Sequence, residues 1–354
     1  MGPAGVTLSL TQEVLHLSLR DPFRIARTDH HTGDGVTTVV VEVRDARYPG
    51  VVGVGEGYPD RFYGETVETM AVVMPMLLDA VGPLDATPDG LMAATAAMGG
   101  AIRGHGAAKC AIDIALHDLV GKVTGQPVHA LIGLSATIPP TDFTIGIDEP
   151  AVVAERAKRA AHFPALKIKV GGPGDLATLE AVRDVFGGPI RVDANTAWTP
   201  EEAVTLLPHL ERLGVELIEQ PFPARRLDQL RWLQERSSLP IVADESCVFP
   251  EDLDGLVGVV AGVNVKLAKC GGIGPAKAML SRAHELGFRT FLGCMEETRV
   301  GIAGSAAVAS LADWVDLDGC LLLADDPFEG LGLNADHRWI LTDRPGLGLT
   351  RTAG

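Results

Sequence analysis

Leu166-Lys167-Ile168-Lys169-Val170-Gly171 is the stretch on which the reading of the chain turns. Two lysines alternate with apolar residues. In a β-strand both ammonium groups then leave one face, while Leu166, Ile168 and Val170 enter a packed layer on the other. Gly171-Gly172-Pro173-Gly174 stops the strand. Two like charges side by side raise each other's desolvation penalty and favour a lowered amine pKa. Taken alone, the same residues also suit a solvated edge strand.

The residues downstream decide between these. Ile190-Arg191-Val192-Asp193-Ala194-Asn195 ends on an acid and an amide, and Glu216-Leu217-Ile218-Glu219-Gln220-Pro221 ends on an acid. So does Pro240-Ile241-Val242-Ala243-Asp244-Glu245-Ser246, while Val263-Asn264-Val265-Lys266 ends on a lysine. From Lys169 through Asp193, Glu219 and Asp244 to Lys266 the steps are 24, 26, 25 and 22 residues. Each step is the length of a strand with its returning helix, a repeat of one supersecondary unit. Such a repeat sets all five side chains at one end of successive parallel strands.

Candidate strands at 142–147, 166–171, 190–195, 216–221, 240–245, 262–267, 289–294 and 314–319 alternate with helical segments such as 151–161, 200–213 and 276–286. Eight alternating units predict a parallel (β/α) barrel, in which side chains at the carboxyl ends of strands carry the chemistry. A doubly wound sheet is the competing architecture, but the first strand lacks a Gly-x-Gly-x-x-Gly turn. Gly271-Gly272-Ile273-Gly274 suits a tight loop or a carboxylate better than a dinucleotide.

Ahead of this lies an α+β region. Val6 to Leu19 alternates loosely, and Val36 to Val43 with Val51 to Glu56 predicts a hairpin. Asp21 to Thr28 and Tyr58 to Gly64 are polar, irregular stretches, surface loops by default. Helices are predicted over 65–80, 91–98 and 107–123. Asp113, His117 and Asp118 on the last of these read as packing partners. The expected division is a capping domain over 1–125, completed by about 321–354, and a barrel over 126–320. At 354 residues, one large and one smaller domain fit the length.

A formal net charge of −16 argues against nucleic acid or an anionic membrane as partner. Met1-Gly2-Pro3-Ala4-Gly5 has no basic start before an apolar core, and no apolar run reaches transmembrane length. The five cysteines, Cys110, Cys247, Cys270, Cys294 and Cys320, include no Cys-x-x-Cys pair, so neither a disulfide framework nor a thiolate zinc site is expected. A cytoplasmic protein is the expectation.

Asp193, Glu219 and Asp244 would converge at one mouth, and three neighbouring anions call for a hard divalent cation. An all-oxygen set points to Mg²⁺, with Mn²⁺ the alternative. Lys169 and Lys266, with three strands between them, would face each other across a substrate. Two such amines beside a cation can remove a carbon-bound proton and stabilise the resulting enediolate.

Lys167-Ile168-Lys169, Val192-Asp193-Ala194-Asn195, Ile218-Glu219-Gln220-Pro221, Ala243-Asp244-Glu245-Ser246 and Asn264-Val265-Lys266-Leu267-Ala268-Lys269 together resemble the enolase superfamily, muconate-lactonizing subgroup. That superfamily's lysine bases and Mg²⁺ are a known pattern. The eighth strand, Trp314-Val315-Asp316-Leu317-Asp318-Gly319, resembles that of the dipeptide epimerases, where the Asp-x-Asp pair implies binding of a substrate α-ammonium group. The resemblance implies a 1,1-proton transfer at the C-terminal residue of a dipeptide, with Lys169 and Lys266 as bases. It assigns Lys167 to the enediolate charge and Asn195 and Met295 to the substrate site. An arginine in the first loop of the capping domain accompanies L-Ala-D/L-Glu activity, and Arg27 is its expected counterpart, with Arg24 the second choice. Glu296 and Glu297 would favour a cationic side chain instead. A dipeptide is the expected partner molecule, and a homo-oligomer the expected assembly. The competing readings are an N-acylamino acid racemase, an o-succinylbenzoate synthase, or a metal-binding scaffold without turnover.

Overall fold

The computed structural model describes residues 8–30 and 35–352. The Met1–Gly5 start, the first positions of the predicted first strand (Val6 and Thr7) and the last two residues lie outside the described residues.

The N-terminal layer is an antiparallel sheet of β1 (Leu8–Leu17), β4 (Val36–Asp45) and β5 (Gly53–Gly57), with β4 in the middle. Between β1 and β4 the chain forms a small hairpin, β2 (Phe23–Ile25) and β3 (Thr28–His30), where a plain loop was expected. The run of valines in β4 does not alternate with polar residues because both faces are covered. Val39, Val41 and Val43 pack under helices, while Val40 joins the barrel core. The helices are α1 (Val67–Val81), α2 (Pro88–Ala101) and α3 (Gly106–Thr124). The first two start on Thr66 and Thr87, whose side chains accept from the third backbone N–H of each helix. α3 lies directly on β5. A Cβ added at Gly53, Gly55 or Gly57 would meet the carbonyl oxygen of Ala115, Ala111 or Ala107 at 2.0, 1.9 or 2.2 Å. Glycine on the strand and alanine on the helix are what allow this approach.

The second unit is the predicted barrel. Its parallel strands are β6 (Phe143–Ile145), β7 (Leu166–Lys169), β8 (Ile190–Asp193), β9 (Val215–Glu219), β10 (Ile241–Ala243), β11 (Gly262–Lys266), β12 (Arg289–Gly293) and β13 (Trp314–Val315), in sequence order across the sheet. A parallel bridge between Thr141 and Val315 joins the last strand to the start of the first. Helices Pro150–Arg159, Pro200–Arg212 and Ile273–Glu285 stand where the pattern put them. Short strands buried on both sides and a continuous aliphatic core fit a closed α/β layer.

Three contacts tie the tail to the capping domain and the capping domain to the barrel. Asp118 on α3 accepts from Val54 N–H and Leu347 N–H, each at 2.8 Å, and from Lys122 Nζ. Asp113 accepts from Thr95 Oγ1 and from Gly274 N–H in the glycine turn, so the carboxylate that turn receives is the chain's own. Arg351 in the tail pairs with Glu13 on β1 at 2.6 Å. Asp113, His117 and Asp118 are buried and stand outside the cavity described below.

Candidate active site

Strand order places the chemistry. Lys167 and Lys169 leave β7, Asp193 ends β8, Glu219 ends β9, Asp244 follows β10, and Lys266 ends β11. The three carboxylates are buried, and one oxygen of each lies within 4.8 Å of the others. The lysines stand on the two flanks of this cluster. Lys169 Nζ is 2.7 Å from Asp193 Oδ2, and Lys266 Nζ is 3.0 Å from Asp244 Oδ2. Lys167 reaches across the middle to Glu219 Oε2 (2.8 Å), Asp193 Oδ2 (3.2 Å) and Asp316 Oδ2 (2.8 Å).

Backbone and side chains hold this set rigidly. Asn195 and Gln220, just past two of the acids, have φ of 41° and 34°, a left-handed conformation that non-glycine residues adopt at functional sites. Gln220 ties two strand ends together, since its Oε1 accepts from Asp244 N–H and Ser246 N–H while its Nε2 donates to Phe222 O and Ser246 Oγ. Asn264 Nδ2 donates to Glu219 Oε1 at 2.7 Å. Lys269, which the pattern reading passed over, is fully buried. It donates to Asp244 Oδ1, Asp244 O, Cys247 O and Asn264 O. Its one signal in the sequence is a lysine three residues past Lys266, inside an apolar strand-to-helix turn.

The electrostatics correct one expectation. Neighbouring positive charge was expected to lower the lysine pKa values. Burial does act that way on Lys167 and Lys266, but Asp316, Glu219 and Asp193 around the first, and Asp244 beside the second, outweigh it and hold both ammonium groups more firmly. The acids respond in kind. Burial would raise Asp244, yet Lys266 and Lys269 keep it well below the usual carboxylate range. Glu219, buried and next to Asp193, is pushed up to about 7. Three buried acids offering only oxygen donor atoms suit a hard divalent cation, and the ammonium groups of Lys167, Lys169, Lys266 and Lys269 lie against them. Asp193, Glu219 and Asp244 would hold the cation.

A cavity of about 330 Å³ opens over these groups between barrel and capping domain. Lys167, Lys169, Lys266, Asn195, Asp244 and Met295 line it, as do Asp316 and Asp318. The Asp-x-Asp pair is fixed by Thr144 on the neighbouring strand, whose Oγ1 donates to Asp316 Oδ1 (3.0 Å) and whose N–H donates to Asp318 Oδ2 (2.5 Å). Burial and the charge of Asp316 push the Asp318 carboxyl well up, whereas Lys167, 2.8 Å from Asp316 Oδ2, outweighs burial there and holds the Asp316 carboxyl down.

Both stretches read as plain loops, 21–28 and 58–64, contribute walls. Phe23, Ile25 and Arg27 come from the first, and Tyr58 and Tyr63 from the second. Arg27 enters the cavity, and its Nη1 donates to Glu245 Oε1 and to Asn195 O. Arg24, the second choice, is exposed on β2 and is not among the residues that line this cavity. Glu296 lines the cavity, whereas Glu297 is buried beside Glu56 and does not.

Comparison with known proteins agrees with this geometry. Residues 9–133 match the mandelate racemase/muconate lactonizing enzyme N-terminal domain, and residues 151–352 match the enolase C-terminal domain-like family. An L-Ala-D/L-Glu epimerase of Bacteroides thetaiotaomicron is 37% identical, aligned over 98% of this chain and 89% of its own. An L-Lys-D/L-Arg epimerase of Methylococcus capsulatus is 35% identical over 94% of this chain and 96% of its own. The crystal structure of a dipeptide epimerase from Enterococcus faecalis, complexed with Mg and L-Leu-L-Tyr, superposes with a TM-score of 0.88 at 32% identity, covering 98% and 99% of the two chains. The chain belongs to the mandelate racemase/muconate lactonizing enzyme family of the enolase superfamily.

Proposed function

We propose that the protein epimerises dipeptides at the α-carbon of the C-terminal residue by a Mg²⁺-assisted 1,1-proton transfer, with L-Ala-D/L-Glu as the substrate type. One observation carries the reading. A single cavity holds Lys169 and Lys266 on the two flanks of a three-carboxylate cluster, together with the Asp316–Asp318 pair. Bound in that cluster, Mg²⁺ would supply the positive charge that makes the α-proton of a neighbouring carboxylate acidic.

The chain's own residues do the rest. One of Lys169 and Lys266, as the free amine, takes the α-proton and becomes an ammonium. The electron pair of the C–H bond moves into the carboxylate and forms an enediolate. The other lysine, as an ammonium, returns a proton to the opposite face and is left as the amine. The product is the epimer, and the two lysines have exchanged protonation states. Lys167, the most enclosed of the three, keeps its charge and neutralises the enediolate. Asp316 and Asp318 take the substrate ammonium and fix its register. An N-acylated amino acid offers no such cation, which disfavours the racemase and synthase readings.

Five free cysteines, four of them buried, suit a reducing cytoplasm, and the net charge of −16 suits a small-molecule partner. No helix of the described residues is long and apolar enough to cross a membrane. A homo-oligomer is the assembly proposed, to be checked by native mass measurement. The activity is tested with a panel of L,L-dipeptides and Mg²⁺, read by chiral chromatography. Conversion of L-Ala-L-Glu to L-Ala-D-Glu is expected. Racemisation of N-acyl amino acids without turnover of any dipeptide would overturn the reading.

A further inference from the structure

A second cavity, of about 500 Å³, lies against the catalytic one, and the two share Phe23, Thr144 and Leu322 as walls. Aromatic rings form its floor. The Phe163 ring centre lies 4.9 Å from that of Phe143 and 4.4 Å from that of His337. Its rim is basic, with Arg20, Arg156 and Arg159. Two acids face these cations. Asp21 pairs with Arg159 at 2.7 Å and stands 3.9 Å from Arg156, and Asp148 pairs with Arg156 at 2.9 Å. Three cations against two acids leave an excess of positive charge, in a chain whose formal net charge is −16. Arg156 is 9% exposed, and its Nη1 is a buried donor without an acceptor among the described residues. Such a donor calls for an acceptor.

An aromatic floor under a guanidinium rim matches a ring that carries a carboxylate: the ring packs on Phe163 and His337, and the anion takes the arginines. We infer that this cavity binds a small aromatic carboxylate, at a site separate from the reacting centre, and that its occupancy is felt at Asp316 and Asp318. The link is Thr144. It walls both cavities and donates to both carboxylates. Leu322 is a second shared wall, and its carbonyl accepts from Arg20 N–H at 2.9 Å. A ligand that shifts this wall shifts the ammonium anchor, so it changes substrate affinity, and substrate changes its affinity by the same factor. The binding half stands on the cavity alone, whereas the coupling half rests on the dipeptide reading proposed above.

3-Phenylpropionate is the probe, since it has no ammonium for Asp316 and Asp318 and no stereocentre to epimerise. Its binding to the Mg²⁺-loaded full chain is measured by calorimetry, with and without saturating dipeptide. One-to-one binding that persists under saturating dipeptide is expected, with the probe's Kd shifted by the dipeptide and the substrate KM shifted in the same direction by the probe. An Arg20→Gln/Arg159→Gln double variant, altered only at exposed positions, and Leu333→Trp, which fills the cavity, should each weaken binding about tenfold or more. Both should keep the basal activity. Displacement of the probe by dipeptide, or binding unchanged in both variants, would overturn the site. Binding with no shift of KM would overturn the coupling. Failure of the dipeptide reading is distinguishable, because no dipeptide would then turn over while the probe still bound.

Discussion

Arg27 and Glu245 are ion-paired across the boundary between capping domain and barrel, one residue past the candidate metal ligand Asp244. The Arg27 guanidinium also sits 4.1 Å above the Phe62 ring. A side-chain carboxylate of the substrate therefore meets an arginine that already has an internal partner. Charge-assisted hydrogen bonds of this kind contribute about 1.5–3 kcal/mol. Arg27→Gln should lower kcat/KM for L-Ala-L-Glu by roughly 10–100-fold, mostly through KM, and change that for L-Ala-L-Met by no more than about threefold. Glu245→Gln removes the internal competitor and should raise the preference for Glu over Met. The ratio of kcat/KM for the two dipeptides checks both. Equal losses on both substrates in Arg27→Gln would contradict a specificity role.

Asp316 and Asp318 carry a separable prediction. If they hold the ammonium, Asp316→Asn and Asp318→Asn should each raise KM for dipeptides by about 10–100-fold, the loss of one hydrogen bond to a charged group. Thr144→Val removes only the Oγ1 donor to Asp316 and should have a smaller effect of the same kind. Steady-state kinetics on L-Ala-L-Glu tests this. A fall in kcat with KM unchanged would assign the pair to chemistry instead.

The Glu56–Glu297 pair predicts a pH dependence of stability. Glu56 accepts from Thr38 Oγ1 on β4 and from Thr298 N–H, Thr298 Oγ1 and Gly301 N–H at the start of the helix Arg299–Ala306, so it joins capping domain to barrel. Burial, with the charge of Glu56 next, pushes the Glu297 carboxyl from 4.5 to about 8. A carboxyl with a raised folded-state pKa binds more protons folded than unfolded between those two values. Its contribution to stability is full below the lower value and is lost as pH rises through the upper one, at up to about 1.4 kcal/mol per pH unit for one proton. Urea melts at pH 5, 6.5 and 8 should show wild type losing more stability across this window than Glu297→Gln. Identical slopes would contradict it.

Packing of α3 on β5 is tested by Gly55→Ala. The added Cβ would fall 1.9 Å from the Ala111 carbonyl oxygen, a backbone atom that cannot rotate away. Overpacking of this kind costs about 1–3 kcal/mol or more, against the small stabilisation that Gly→Ala gives a permissive site. Chemical denaturation reads the sign. A stabilised variant would show that helix and strand can separate freely.

The fold and the candidate site residues were legible because both repeat. A strand–helix period of about 25 residues, with one charged residue at each strand end, marks barrel and site together. Lys169, Asp193, Glu219, Asp244 and Lys266 stand at the strand ends that this period assigns. What escaped was aperiodic. Arg27 was legible as a cation in a polar loop, but Glu245, its partner, is 218 residues away in sequence. Thr144 is one hydroxyl in a short apolar strand, and its role exists only once the last strand closes against the first. The lysine pKa direction was misjudged for the same reason. Lys167 has a like charge two residues away in sequence, and three carboxylates around it in space.

The central claim is that Lys169 and Lys266 exchange the α-proton of a dipeptide on opposite faces. The most direct measurement is incubation of the Mg²⁺-loaded protein with L-Ala-L-Glu in D₂O, followed by mass spectrometry and by resolution of the two diastereomers. Wild type should gain one deuterium at the α-carbon of the Glu residue in both diastereomers, and removal of the metal should stop it. Lys169→Ala and Lys266→Ala should each abolish epimerisation, and one of them should still exchange the proton of the L,L-isomer without inverting it. Full epimerisation in either variant, or turnover with no deuterium gained, would contradict the two-lysine account.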